Sequence, residues 1–181
     1  RLSIIIPAYN EEKNIKKTLV ILKDYLAKNL SDLESEIIIV SDGSTDDTHK
    51  EASEHSSEKI KTFHYKDNKG KGHALKYGFQ KSKGDLIFFF DAGGDFHPEE
   101  IKKFIEYLEI NKVDAVVGSK RHPLSKLDYP LRRKFLSRIA QFWVKLMFNL
   151  NIKDTQVGIK LFKREVLEKV LPQIKTNGFA F

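Results

Sequence analysis

The sequence predicts an α/β fold in which a mostly parallel central sheet is flanked by helices. Short runs rich in β-branched and aromatic residues alternate along the chain with amphipathic runs of helical period, and this alternation is typical of βαβ units. No internal repeat, low-complexity tract or linker interrupts the pattern. The 181 residues, 40% of them hydrophobic, suffice for one sizeable core. We therefore predict a single domain spanning 1–181.

The helices are predicted from residue spacing and the strands from short apolar runs. Ile15, Leu19, Leu22 and Leu26 recur at helical spacing, which predicts the first long helix. A second helix is predicted to open at Pro98, because proline is favoured in the first helical turn. The predicted strands cover residues 2–6, 36–41, 60–65, 85–91, 113–118 and 159–162.

The composition excludes several kinds of site. The chain has no cysteine, which rules out disulfides, thiolate zinc sites and cysteine nucleophiles and permits a reducing compartment. Its six histidines have no zinc-ligand spacing. Its apolar runs fall far short of the roughly 20 residues that cross a bilayer. Because the chain begins at Arg1 and stops abruptly at Phe181, we expect an excerpt, truncated at its C-terminus, with room for membrane spans outside it.

The positive charge is concentrated in one segment. Residues 120–145 carry eight Lys/Arg and one Asp, which accounts for the whole formal net charge of +7. A basic excess at one place predicts a docked polyanion, namely a phosphate, an anionic membrane or a nucleic acid.

Polar residues are expected to gather at one edge of the sheet. Ligands of open α/β sheets bind outside the carboxyl ends of the strands, where this chain has PAYNEE at 7–12, SDGSTDDT at 41–48 and DAGGD at 91–95. Each stretch alone is equally explained by helix caps and turns. Together, their carboxylates would repel one another unless a cation or a hydrogen-bonding ligand is present. A divalent cation shared with a diphosphate accounts for them, because Mg²⁺ takes one or two carboxylates plus phosphate oxygens.

These stretches, with NKGKGHAL at 68–75, DAGGDFHPEE at 91–100, GSKR at 118–121 and DTQVGIKLF at 154–162, resemble a known family. It is the family of inverting nucleotide-diphosphosugar glycosyltransferases that includes dolichyl-phosphate mannose and glucose synthases. The resemblance spans almost the whole chain and implies a nucleotide-diphosphosugar transferase, Rossmann-like fold. It also implies a nucleotide-sugar site made of Pro7, Ala8, Tyr9, Asn10, Glu11, Asp42, Lys71, Asp91, Ala92, Gln156 and Lys160.

The resemblance further implies a metal-assisted reaction, with Lys71, Asp91 and Asp95 as catalytic candidates. Relatives usually have Asp-x-Asp where this chain has Asp91-Ala92-Gly93, so the second carboxylate is missing. We expect Asp91 and Asp95 to share an Mg²⁺ or Mn²⁺ ion, bound more weakly than in relatives. A metal-free site is the alternative.

Residues 131–150 combine a helical apolar stripe with five basic residues, a tryptophan and three phenylalanines. This pattern suits either an ordinary surface helix packed on the core or a helix lying in the headgroup region of an anionic membrane. We expect peripheral attachment to the cytoplasmic face of a membrane through this segment. Arg121, Arg132 and Arg133 are the candidates for binding an acceptor phosphate, because Arg suits bidentate contact.

The reaction implied is transfer of a hexose, glucose or mannose, from a nucleotide-diphosphate sugar to a polyprenyl phosphate with inversion. Asp154 and Gln156 lie in the stretch that contacts donor or acceptor in relatives, and Lys160 is expected near a phosphate; a plain polar turn before a strand is the alternative there. Two further functions stay open: transfer to a saccharide or protein hydroxyl, and nucleotide-sugar or membrane binding without turnover, prompted by Gly93. No nucleic-acid partner is expected, because the acidic strand ends would repel a phosphate backbone.

Overall fold

A computed structural model describes residues 1–93, 97–118 and 158–174 of the chain. Its sheet contains six strands in the order β3-β2-β1-β4-β6-β5. The strands are β1 (Leu2–Ala8), β2 (Ser35–Asp42), β3 (Ile60–Tyr65), β4 (Leu86–Phe89), β5 (Ala115–Val117) and β6 (Lys160–Lys163). β1 pairs in parallel with β2 and β4, and β2 with β3, which confirms the predicted α/β fold with a mostly parallel sheet.

β6 is the exception, because it runs antiparallel to β4. The described helices are α1 (Glu12–Asn29), α2 (Thr48–Ser53), α3 (Lys71–Lys81), α4 (Glu99–Ile110) and α5 (Arg164–Val170), the last followed by a 3₁₀ turn at Leu171–Gln173. Pro98 precedes α4 as its N-cap, one residue outside the position that the sequence predicted for it. Within the described ranges no helix is long and apolar enough to cross a membrane.

The core lies on both faces of the central strands. Ile4, Ile5 and Ile6 of β1 have no exposed surface, and consecutive apolar residues of this kind are typical of a parallel strand covered on two sides. The apolar stripe of α1 is buried as its spacing predicted, with Ile15 and Leu22 at 0% exposure. The loops at the carboxyl ends of these strands therefore rest on a rigid platform.

A buried carboxylate connects several segments at the opposite end of the sheet. Glu36, near the start of β2, is 2% exposed and accepts hydrogen bonds from Ser3 Oγ at 2.8 Å, Lys83 N–H at 2.6 Å and Lys61 Nζ at 3.1 Å. Burial opposes its ionisation, but these hydrogen bonds outweigh burial and hold the pKa of Glu36 below its usual range. Glu36 thus joins β1, β2 and β3 at their amino ends.

The chain divides into two compact units, one made of Arg1–Val116 with Gly158–Phe181 and the other of Val117–Val157. All described residues except 117 and 118 belong to the first unit. The single domain over 1–181 therefore stays a prediction.

Candidate functional site

Hydrogen bonds tie the loop after β1 to the loop after β2. The Asn10 N–H donates to Ser44 Oγ at 3.2 Å, and Asn10 Oδ1 accepts from the Thr45 N–H at 2.9 Å. The Glu11 N–H donates to Thr48 Oγ1 at 2.7 Å. Asn10 has a φ of +54°, a conformation that asparagine tolerates better than most residues. Asn10 therefore connects the two loops through its backbone and its side chain.

Asp46 is a structural member of this junction. It accepts hydrogen bonds from the Glu12 N–H at 3.2 Å and from the Thr48 N–H and hydroxyl. Burial opposes ionisation of this carboxyl, but the hydrogen bonds from Thr48 outweigh it and lower the pKa of Asp46. The interpretation of this stretch as turn and cap residues therefore describes Asp46 well.

Asp42 ends β2 as a buried acceptor, 3% exposed. Its Oδ1 accepts hydrogen bonds from the Tyr65 hydroxyl and the Lys69 N–H, both at 2.8 Å. Burial, reinforced by the hydrogen bond to Asp42, raises the pKa of Tyr65 well above its usual range. The Tyr65 hydroxyl therefore keeps its proton and is the hydrogen-bond donor in this pair. Gly43, with a φ of +66°, packs against the backbone of Asn68 too closely for any side chain.

Asp91 follows β4 and pairs with Lys71 at the start of α3. Lys71 Nζ lies 2.5 Å from Asp91 Oδ1, and the two side chains are 25% and 30% exposed. On its other side the Asp91 carboxylate packs directly against Gly158, where a β-carbon would overlap it. The carboxylate is thus held between an ammonium group and a glycine, and the side chain stays partly exposed to solvent.

Glu11 lies beside the segment that follows β4. A β-carbon built on Gly93 would have Glu11 Oε1 as its nearest neighbour, at an ordinary contact distance of 3.6 Å. The other oxygen of Glu11 accepts from Asn14 Nδ2 at 2.8 Å, and Thr18 Oγ1 donates to the carbonyl of Ala92 at 2.9 Å. α1 therefore joins the first loop to the Asp91 segment.

The contacts form a closed series around one edge of the sheet. Asn10 meets the loop after β2, Asp42 meets the segment before α3, Lys71 meets Asp91, and Glu11 meets the segment after Asp91. The predicted site residues Glu11, Asp42, Lys71 and Asp91 thus lie at one edge. Their roles in binding and catalysis stay predictions.

The other predicted residues fall into three groups. Tyr9 is 50% exposed at the same edge, whereas Ala8 and Ala92 are buried, with exposures of 2% and 3%. Pro7 and Lys160 are partly buried on β1 and β6. The residues that lie outside the described ranges are Asp95, Arg121, Arg132, Arg133, Asp154 and Gln156.

Sequence reasoning missed two residues of the site, Tyr65 and Gly158. Tyr65 ends β3 and is the direct partner of Asp42 in the parallel register, so the strand-end rule applied to residues 60–65 would have found it. Gly158 stands inside the DTQVGIKLF motif, but no local pattern indicates that it packs against Asp91.

The carboxylate of Asp91 fits a divalent cation whose other ligands come from a diphosphate. Asp91 supplies one carboxylate, and Mg²⁺ is commonly held by one or two carboxylates together with phosphate oxygens. Residues 1–93, 97–118 and 158–174 contain no group of three acidic or histidine side chains placed to enclose a metal ion. A cation bound at Asp91 would therefore take phosphate oxygens among its ligands.

Solved structures share this fold. Mannosyl-3-phosphoglycerate synthase from Rubrobacter xylanophilus superposes with a TM-score of 0.69 at 22% identity, over 92% of this chain and 54% of that one. Glucosyl-3-phosphoglycerate synthase from Mycobacterium tuberculosis, solved with Mn²⁺, UDP-glucose and phosphoglyceric acid, gives 0.66 at 22% identity, over 92% and 57%. The fold is therefore the GT-A-like fold of such sugar-transferring synthases.

The sequence matches glycosyl transferase family 2 over residues 3–171, and the chain belongs to that family. It is 34% identical over 196 residues to the dolichyl-phosphate beta-glucosyltransferase of Dictyostelium discoideum, covering 99% of this chain and 59% of that protein. It is 29% identical over 188 residues to the undecaprenyl-phosphate mannosyltransferase of Micrococcus luteus, covering 100% and 74%. The chain spans 28% to 60% of the length of several similar curated relatives.

Proposed function

We propose that the chain transfers a hexose, glucose or mannose, from a nucleotide-diphosphate sugar to a polyprenyl phosphate with inversion at the anomeric carbon. The observation that carries this proposal is the joint placement of Asp42, the Lys71–Asp91 pair and Glu11 at one sheet edge in a member of glycosyl transferase family 2. Relatives named as dolichyl- and undecaprenyl-phosphate transferases support the class of acceptor.

The donor end of the reaction uses the residues at the sheet edge. Asp42 and the loop at Tyr9–Asn10 bind the nucleoside, while Lys71 directs its ammonium group toward the diphosphate. A divalent cation, Mg²⁺ or Mn²⁺, held by Asp91 and predicted to involve Asp95, would neutralise charge on the leaving diphosphate. Lys71 also holds the Asp91 carboxylate in place, because a charge-assisted hydrogen bond is stronger than a neutral one.

The chemistry is direct displacement. A phosphate oxygen of the lipid attacks the anomeric carbon while the bond to the nucleoside diphosphate breaks, so the anomeric configuration inverts. A phosphate is already anionic near neutral pH, and no strong general base is needed. The protein's contribution is positioning plus stabilisation of negative charge on the leaving group, two effects that account for large parts of many enzymatic rate enhancements.

The acceptor end involves the basic segment at 120–145. This segment lies outside the described residues, so its role is proposed from its sequence. Arg121, Arg132 and Arg133 are proposed to bind the lipid phosphate while the apolar stripe of 131–150 rests on an anionic membrane at its cytoplasmic face. Charge density and aromatic content support this arrangement.

The test is a transfer assay with a panel of acceptors in liposomes, comparing polyprenyl phosphate with saccharide and protein hydroxyls. Charge reversal at Arg132 and Arg133 should raise the apparent KM for lipid phosphate and reduce liposome binding. The matched control reverses Lys23 and Lys28, two exposed lysines of α1, and should leave both quantities near wild type. Unchanged KM and liposome binding in the Arg132/Arg133 variant would remove this acceptor assignment, and transfer only to hydroxyl acceptors would refute the proposal.

Gly93 favours a second candidate function, nucleotide-sugar binding without turnover. No carboxylate projects from this position, where relatives usually have the second Asp of Asp-x-Asp, and the nearest atom to an added β-carbon is Glu11 Oε1. Donor binding without transfer to any acceptor, at any Mg²⁺ or Mn²⁺ concentration, would support that candidate against the first.

A further inference from the structure

Asp42 is an acceptor whose capacity is already half used. The Tyr65 hydroxyl and the Lys69 N–H both reach the same oxygen, Oδ1, at 2.8 Å. An ionised carboxylate offers about two acceptor positions on each oxygen, so Oδ1 is filled. Oδ2 receives no hydrogen bond from the described part of the chain.

This state of Asp42 is fixed by its surroundings. Asp42 and Tyr65 are register partners on adjacent parallel strands. The Tyr65 ring makes edge contacts with His73 and Tyr77 at 5.4 Å and 5.8 Å between ring centroids, and Lys69 Nζ lies 5.5 Å from the centre of its ring. Asp42 is 3% exposed, so rotation of its carboxylate would break two hydrogen bonds inside a packed environment.

The proposed function leaves the nucleotide base open, and uracil and guanine make different demands on such a carboxylate. Uracil presents a single N–H between two carbonyl oxygens. Guanine presents a ring N–H and an exocyclic amino group side by side, and this pair of donors is matched by both oxygens of one carboxylate. With Oδ1 filled, Asp42 satisfies uracil through Oδ2 but leaves one guanine donor without a partner. A polar group left unpaired in a buried site is strongly disfavoured.

We propose that Tyr65 is a positioning residue that makes Asp42 a single-oxygen acceptor and thereby selects uridine over guanosine diphosphosugars. The inference rests on the proposed function, because it assigns the base specificity of the same donor site. Tyr65 acts through Asp42, because its hydroxyl occupies Oδ1 and leaves Oδ2 for the base.

The test is isothermal titration of the full chain with UDP and with GDP in one Mn²⁺-containing buffer. The diphosphate and the cation are common to both ligands, so the ratio of the two affinities reports the base alone. We expect UDP to bind at least about tenfold more tightly. Tyr65→Phe returns an acceptor position to Oδ1 and should lower this ratio by about fivefold or more. Tyr77→Phe, which keeps the Tyr65–Asp42 hydrogen bond, should preserve the ratio.

A ligand-side measurement does not depend on how the variants fold. UDP methylated at N3 of the base lacks the N–H that Oδ2 accepts, and it should bind at least about tenfold more weakly than UDP. Equal affinity for UDP and GDP, an unchanged ratio in folded Tyr65→Phe, or equal binding of the methylated ligand overturns the inference and leaves the proposed function standing. Binding of neither nucleotide overturns both.

Discussion

Gly158→Ala tests the arrangement around Asp91 with a single methyl group. A β-carbon at this position would overlap the Asp91 carboxyl group, and even Asp91 Oδ1, the farther of the two carboxylate oxygens, would lie only 2.6 Å away. Real β-carbons essentially never approach another heavy atom within 3.0 Å. Alanine adds only this methyl group, so the perturbation is steric. The carboxylate must therefore move.

The size of the effect follows from that movement. To regain ordinary contact, the nearest carboxylate oxygen, Asp91 Oδ2, has to shift by about 2 Å, and a misplacement of even about 1 Å costs about 100-fold in rate at a site that works by positioning. We expect kcat/KM for sugar transfer to fall about 100-fold, which corresponds to about 2.7 kcal/mol of transition-state stabilisation. The shift also stretches or breaks the Lys71–Asp91 pair.

The assay measures initial rates of transfer to a short-chain polyprenyl phosphate, with Mn²⁺ affinity of the donor complex as a second readout. Gly93→Ala is the matched control, because the same methyl group there meets only Glu11 Oε1 at 3.6 Å, and we expect kcat/KM within about threefold of wild type. A folded Gly158→Ala protein with wild-type kcat/KM and Mn²⁺ affinity would refute the role given to the Asp91 carboxylate.

Three further predictions concern other parts of the first unit. Gly93→Asp should raise the affinity for Mn²⁺ measured by titration with UDP present, because it returns a second carboxylate beside Glu11; no gain in affinity or rate would contradict a cation site at Asp91. Gly43→Ala should lower the free energy of unfolding by about 2 kcal/mol or more in urea denaturation, since its φ of +66° and its contact with Asn68 both exclude a side chain. Glu36→Gln should destabilise the fold at neutral pH by about 2 kcal/mol, because Lys61 and two further donors lose an ionised acceptor. Since the folded pKa of Glu36 is lowered, this contribution is complete above the unfolded pKa and is lost as pH falls through the folded pKa. The two proteins should therefore converge in stability once the pH falls below the folded pKa of Glu36; a difference independent of pH would contradict the ionised state of Glu36.

The central part of the fold was predictable because its signals are local. The apolar runs of β1, β2 and β3 coincide with the observed strands to within two residues at each end. The prediction was less accurate at β4, which ends at Phe89 instead of extending through Asp91, so Asp91 lies in the loop. The direction of β6 was not predicted, because a short apolar run has the same appearance whether its partner is parallel or antiparallel.

The part of the candidate site that directly follows the strands was predictable from the sequence. Glu11, Asp42 and Asp91 were found from that rule and from family resemblance, and they lie at one edge of the sheet. The contact of Gly158 with Asp91 was not foreseen, because it joins segments far apart in the chain, and periodicity carries no information about such distances.

The late arrival of β6 has a consequence for biosynthesis. While the chain emerges from the ribosome, β1 to β4 can assemble, but the outer edge of β4 has its partner in Lys160–Lys163, which is translated much later. Until then a nascent chain exposes an unpaired apolar strand edge, a template for association with other chains. Gly158 is translated in the same stretch, so a truncation before this point would remove both the partner of that strand edge and the glycine that packs against the Asp91 carboxylate.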